Sequence, residues 1–92
     1  MPKQTVNLIV KGLVQGVFFR AETLKKALEF EVVGWVKNLS DGNVEITAEG
    51  NKENLNNLIE WCKLGTTRTR VDSVQIEYLP YENKFTDFQI KY

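Results

Sequence analysis

Two side chains and one loop carry the chemistry legible in this sequence. The run Gly12-Leu13-Val14-Gln15-Gly16-Val17-Phe18-Phe19-Arg20 ends an apolar stretch, turns through glycines and delivers an arginine to the start of a helical segment. A helix N-terminus already carries partial positive charge and free N–H groups, so a guanidinium there makes sense if an anion lies between them. Gly16 permits backbone conformations closed to other residues, and successive N–H groups in such a turn form a nest for phosphate or carboxylate oxygens. Arg20 adds a planar fork that binds two of those oxygens. The loop's composition fits equally well a plain strand–helix turn whose arginine pairs with a surface carboxylate. The second side chain is Asn38. Alone it is a strand-end residue; facing an anion-binding loop, its amide can bond a phosphoryl oxygen or hold a water.

These groups can stabilise charge and position a nucleophile, but they cannot protonate a poor leaving group. The chain has no histidine, so the commonest zinc ligand and the commonest general base are both missing. Its one cysteine, Cys62, can form neither an internal disulfide nor a paired-cysteine metal site. The suitable substrate is one whose leaving group departs unaided. A mixed carboxylic–phosphoric anhydride qualifies, because it releases a carboxylate whose conjugate acid has a pKa on the order of 4 to 5. Phosphoryl transfer through a loose transition state requires mainly positioning and electrostatics.

The elements that must position these groups follow from periodicity. Val6, Leu8 and Val10 alternate with Asn7, Ile9 and Lys11 in a strand over 4–14. A helix over 20–30 turns Leu24, Ala27 and Leu28 to one face, and a second strand covers 32–39. Ser40-Asp41-Gly42 reads as a hairpin turn into a third strand over 43–49, with Val44, Ile46 and Ala48 inward and Glu45, Thr47 and Glu49 outward. Asn51 is the expected N-cap of a second helix whose stripe is Leu55, Leu58, Ile59 and Cys62, and Gly65 is its expected stop. A fourth strand, 71–79, places Val74, Ile76 and Tyr78 on one face, and the tail, 85–92, can add a last short strand through Phe88, Ile90 and Tyr92. The order predicts a single α+β domain over 1–92: a ferredoxin-like βαββαβ sandwich with an antiparallel sheet, two helices on one face and a short C-terminal strand. In that layout the first and second strands are parallel with the third between them, so their carboxyl ends share one sheet edge roughly 10 Å apart. Arg20 and Asn38 can then face one site, while Lys37 points away.

The two segments together resemble the acylphosphatases. Gly12, Val14, Gln15, Gly16, Val17, Phe19 and Arg20 match that family's first signature, and Gly34, Trp35, Val36, Asn38, Gly42, Val44 and Gly50 match its second. The resemblance covers essentially the whole chain. It implies hydrolysis of acyl phosphates to a carboxylate and inorganic phosphate without metal or cofactor. It makes Arg20 and the loop of Gln15, Gly16, Val17, Phe18 and Phe19 the phosphoryl-binding residues, and Asn38 the residue that orients the attacking water. Many relatives have Gly-Pro-Pro after the second helix; here Gly65-Thr66-Thr67 stands there, in a loop expected to be remote from the chemistry.

Other residues have plainer expected roles. Phe19 is expected in the core, Trp35 in packing, Arg68 and Arg70 in a solvated loop, and Trp61 and Tyr92 have no assigned role. Twelve basic and twelve acidic residues cancel, which is unlike a nucleic-acid backbone binder. An RNA-binding domain of the same element order would need aromatics on the exposed faces of the first and third strands, where Asn7, Ile9, Lys11, Glu45, Thr47 and Glu49 are expected instead. A non-catalytic anion-binding module on the same scaffold remains open. With no signal peptide legible at the N-terminus and no apolar run near the roughly 18 residues of a membrane span, the expectation is a cytoplasmic monomer. Its partners would be a small acyl phosphate, with inorganic phosphate or sulfate able to occupy the site, and neither nucleic acid nor membrane.

Overall fold

The computed structural model describes residues 2–92. Seven elements follow in the order β1 (Lys3–Leu13), α1 (Phe19–Glu29), β2 (Val33–Asn38), β3 (Val44–Asn51), α2 (Lys52–Leu64), β4 (Arg70–Leu79) and β5 (Phe88–Lys91). They form one five-stranded sheet in the order β4-β1-β3-β2-β5. Strand β3 runs antiparallel to both β1 and β2, so those two are parallel, and their carboxyl ends lie on one side of the molecule. The sheet is mixed rather than antiparallel throughout, because β5 joins the free edge of β2 in parallel, with Val36 opposite Ile90 and Lys37 opposite Lys91. The expected ferredoxin-like order is present, with the tail strand appended beside β2.

The alternation in β1 and β3 produces one fully apolar face. Val6, Leu8, Val10, Val44, Ile46 and Ala48 are all buried beneath the helices. Helix α2 meets that face with the expected stripe, since Leu55, Leu58, Ile59 and Cys62 are all buried. Its ends follow the sequence cues: the Asn51 side chain accepts from the N–H of Asn54, and Gly65 donates its N–H to the Trp61 carbonyl. Helix α1 departs from expectation. Its buried face is Phe19, Thr23 and Ala27, and Leu28 is 64% exposed. Phe19, at the first helical position, supplies the anchor and sets the rotation of the helix; its ring stacks on Trp61 with centroids 5.2 Å apart. Such a pair contributes about 0.5–1.5 kcal/mol beyond burial.

The opposite face of the sheet also differs from a simple solvated surface. Glu49 is only 1% exposed. Its carboxylate accepts from the Thr5 hydroxyl at 2.8 Å and from the backbone N–H of Lys84 at 3.1 Å. The segment between β4 and β5 crosses this end of the face, which is why a charge expected to point into solvent is covered. Hydrogen bonding compensates the burial. Asn7 completes the polar ladder by donating to Glu45 and Thr47. Gly34, in β2, is a close-approach position: with φ near +140°, a Cβ there would collide with the Thr47 carbonyl of β3. Its own N–H bonds the Asp87 carbonyl at 2.8 Å, immediately before β5.

Candidate active site

The loop between β1 and α1 is built on unusual backbone geometry. Gly16 has φ +75° and Phe18 has φ +64°, so a non-glycine residue occupies the left-handed region directly before the helix. Phe18 is the N-cap of α1 and provides no side-chain cap. Among the described residues, none accepts a hydrogen bond from the N–H groups of Gly16, Val17 or Phe18. The first N–H groups of α1 are free by the geometry of any helix start. The result is a cluster of unengaged donors at the positive end of the helix.

Gln15 holds the loop in place. Its Nε2 donates to the carbonyls of Leu39 and Asn43, each at 2.7 Å, and so ties the loop to the β2–β3 hairpin. The side chain of Gln15 is therefore spent on the hairpin, not on a ligand.

A cleft of about 310 Å³ opens between the loop and the end of β2, lined by Gly16, Phe18, Phe19, Arg20 and Asn38 together with Ile90 of β5 and Tyr92 just after it. The structure brings together most of the site residues expected from sequence. Gln15 and Val17 stand apart, Gln15 turned to the hairpin and Val17 on a neighbouring cavity. Phe19 contributes at its start-of-helix position while its side chain belongs to the core. The Asn38 Oδ1 is buried and has no hydrogen-bond partner. A buried acceptor left unpaired costs roughly 1–3 kcal/mol, and this one belongs to a residue that lines the cleft.

Arg20 is half-buried on the far side of the cleft. Its Nη1 donates to the Lys91 carbonyl at 3.3 Å, and its guanidinium lies 4.9 Å from the centroid of the Tyr92 ring. These contacts leave most of the guanidinium's five donors free. Tyr92 and Ile90 also line the cleft. Sequence reasoning left Tyr92 without a role, because nothing in the sequence alone says that β5 pairs beside β2. Its only cue was the alternation through Phe88, Ile90 and Tyr92.

Among the described residues, the side chains that line the cleft include no carboxylate, thiol or imidazole. Among the described residues, no group of three or more histidine, cysteine, aspartate or glutamate side chains is arranged to hold a metal ion. The donor set is suited to an anion and, at Asn38, to a hydrogen-bond donor such as water.

A ferredoxin-like sheet with an arginine, a loop of unengaged backbone N–H groups and an asparagine around one cleft defines a small α+β protein whose site is suited to an anion. The acylphosphatase family profile matches residues 6–90. An acylphosphatase of Marinobacter nauticus is 51% identical over 83 residues, covering 90% of this chain and 90% of that protein. Among solved structures, an acylphosphatase from Coxiella burnetii superposes with TM-score 0.91 at 39% identity, covering 97% of this chain and 93% of that one. Acylphosphatase from Bacillus subtilis superposes with TM-score 0.93 at 35% identity, covering 97% and 99%. The chain belongs to the acylphosphatase family, enzymes of acyl phosphate hydrolysis.

Proposed function

We propose that Arg20, the loop amides and Asn38 carry out acyl phosphate hydrolysis in this chain without a metal or cofactor. The observation that carries this reading is one cleft lined by both Arg20 and Asn38, with the Asn38 Oδ1 unpaired among the described residues. Arg20 and the N–H groups of the loop from Gln15 to Phe19 hold the phosphoryl oxygens. Asn38 Oδ1 accepts a hydrogen bond from a water and orients its oxygen toward phosphorus. The water oxygen bonds to phosphorus as the bond to the acyl oxygen breaks, and the leaving carboxylate takes that electron pair. The water's proton passes to a phosphoryl oxygen, so an acyl phosphate dianion and water give a carboxylate and dihydrogen phosphate. No protein acid is required, because the carboxylate leaves as an anion. The protein's part is to fix geometry and to stabilise charge spread over the phosphoryl oxygens.

All the groups named come from one chain, which supports action as a monomer, and inorganic phosphate is expected to occupy the same cleft. The test is hydrolysis of acetyl or benzoyl phosphate in excess chelator beside a simple aryl phosphate. Turnover of the acyl substrate alone, unchanged by chelator, is the expected result. Metal dependence, or equal turnover of the aryl phosphate, would overturn the mechanism.

A further inference from the structure

A second cavity, of about 470 Å³, lies on the other side of Phe18 from the cleft. Phe18 lines both, is 69% exposed and has a left-handed backbone. The far wall is the Gly65-Thr66-Thr67-Arg68 loop. The departure from Gly-Pro-Pro, expected to be remote from the chemistry, is one aromatic ring away from it.

Two charged side chains line this cavity, Arg68 from the loop and Glu22 from the first turn of α1. Among the described residues, no carboxylate lies within 4.0 Å of the Arg68 guanidinium and no Lys or Arg nitrogen within 4.0 Å of the Glu22 carboxylate. Opposite charges on one cavity are thus both left unpaired. Arg68 stacks instead at 5.6 Å over the Phe18 ring. Its backbone is fixed by a turn closed through threonine: Thr66 N–H donates to Thr69 Oγ1 at 2.7 Å, and Arg68 N–H donates to Thr66 Oγ1 at 3.2 Å. A phosphoryl group held in the cleft directs its acyl chain out of that cleft, and the route past Phe18 leads to these two charges.

We infer that Phe18, Arg68 and Glu22 form an acyl-group subsite selecting acyl phosphates whose acyl chain ends in both an ammonium and a carboxylate, as in a side-chain acyl phosphate of an amino acid. Arg68 takes the carboxylate with its planar fork, Glu22 takes the ammonium, and the Phe18 ring packs against the methylenes. A purely anionic chain gains from Arg68 and loses to Glu22; a neutral chain engages neither. This inference rests on the hydrolysis proposed above.

Three four-carbon substrates separate the contributions: butyryl phosphate, succinyl phosphate and aspartyl phosphate activated on its side-chain carboxyl. In succinyl phosphate a carboxylate replaces the terminal methyl of butyryl phosphate, and aspartyl phosphate adds the ammonium. The expected order of kcat/KM is aspartyl above both others. In Arg68→Gln the values for aspartyl and succinyl phosphate, each divided by that for butyryl phosphate, fall roughly fivefold, the scale of a solvent-exposed ion pair. In Glu22→Gln the aspartyl ratio falls while the succinyl ratio rises, a reversal that a merely structural role would not produce. Lys63→Gln, which removes a nearby cation paired to Glu60 outside the cavity, is the control for general electrostatic attraction and leaves the ratios unchanged. Equal ratios in wild type and both variants would overturn the subsite, as would an equal fall in Lys63→Gln. Absence of turnover on all three substrates would overturn the hydrolysis itself and the subsite with it.

Discussion

At the scale of single residues, the proposed mechanism depends on two groups that do different work. Arg20 supplies a permanent positive charge whose neighbours, the Lys91 carbonyl and the Tyr92 ring, orient it without neutralising it. Asn38 supplies an acceptor that has no partner among the described residues. In the proposed mechanism both act on the transition state. Arg20→Gln is therefore expected to lower kcat/KM on an acyl phosphate by at least 10²–10³, on the order seen when one charge-stabilising donor is removed. Asn38→Ala should lower kcat by a comparable factor while leaving phosphate affinity closer to normal, since Arg20 and the amides remain. Near-normal turnover in either variant, with circular dichroism showing an intact fold, would refute the role assignment. Neither change should unfold the protein: Arg20 lies at the surface, and Asn38→Ala removes an unpaired buried acceptor.

At the scale of elements, the unexpected contributor is β5. It pairs with β2 only, in parallel, over Phe88–Lys91. Yet it delivers the Lys91 carbonyl, Ile90 and Tyr92 to the cleft, so the last strand serves as a brace for Arg20. Tyr92 itself is 98% exposed and is held by little besides its contact with the guanidinium. A cation–π contact at such an exposed position is worth about 0.5–1 kcal/mol. Tyr92→Ala is accordingly expected to reduce kcat/KM by about twofold to fivefold with little change in thermal stability. A loss as large as that of Arg20→Gln would mean that the tyrosine itself engages the substrate. The Gln15 tie to the Leu39 and Asn43 carbonyls works at the same scale, locking the β1–α1 loop to the β2–β3 hairpin so that the nest and Asn38 move together.

At the scale of the whole molecule, one core between the sheet and two helices carries the site. Cys62 sits within it, fully buried on α2. Burial pushes its thiol up from 9.0 to about 12, because an apolar surrounding disfavours the thiolate. It is an inert core side chain, and its titration affects stability in one direction. Below about pH 9 the thiol is protonated in both folded and unfolded chains and contributes no pH dependence. As pH rises through 9 toward 12, the unfolded chain gives up this proton and the folded chain does not, so stability falls. Unfolding midpoints measured between pH 8 and pH 10 should decline in the wild type and decline less steeply in Cys62→Val. Parallel slopes would show that the thiol is accessible to ionisation in the native state.

Much of this organisation was legible before any coordinates. The alternation in β1 and β3, the Asn51 cap, the α2 stripe and the Gly65 stop all appear where period and capping chemistry place them, because each is decided within one or two turns of chain. The meeting of Arg20 and Asn38 was also legible, since parallel strands flanking a central antiparallel one have only one arrangement of ends. The rest required packing between distant segments. Leu28 satisfies the helical period, yet Phe19 locks onto Trp61 and rotates α1 so that Leu28 faces solvent. Glu49 satisfies the outward alternation, yet the segment after β4 folds over it and its hydrogen bonds come from Thr5 and Lys84. Tyr92 and the Gly65-Thr66-Thr67-Arg68 loop carry no signal of their neighbourhood, because a strand's partner and a loop's facing wall are set by long-range pairing. The sequence by itself determined the order of the elements, most of the core and the strand ends at which Arg20 and Asn38 meet. Only the tertiary structure decided how α1 is turned, what orients Arg20 and which charges lie beyond Phe18, because each of these is a contact between segments that local periodicity cannot register.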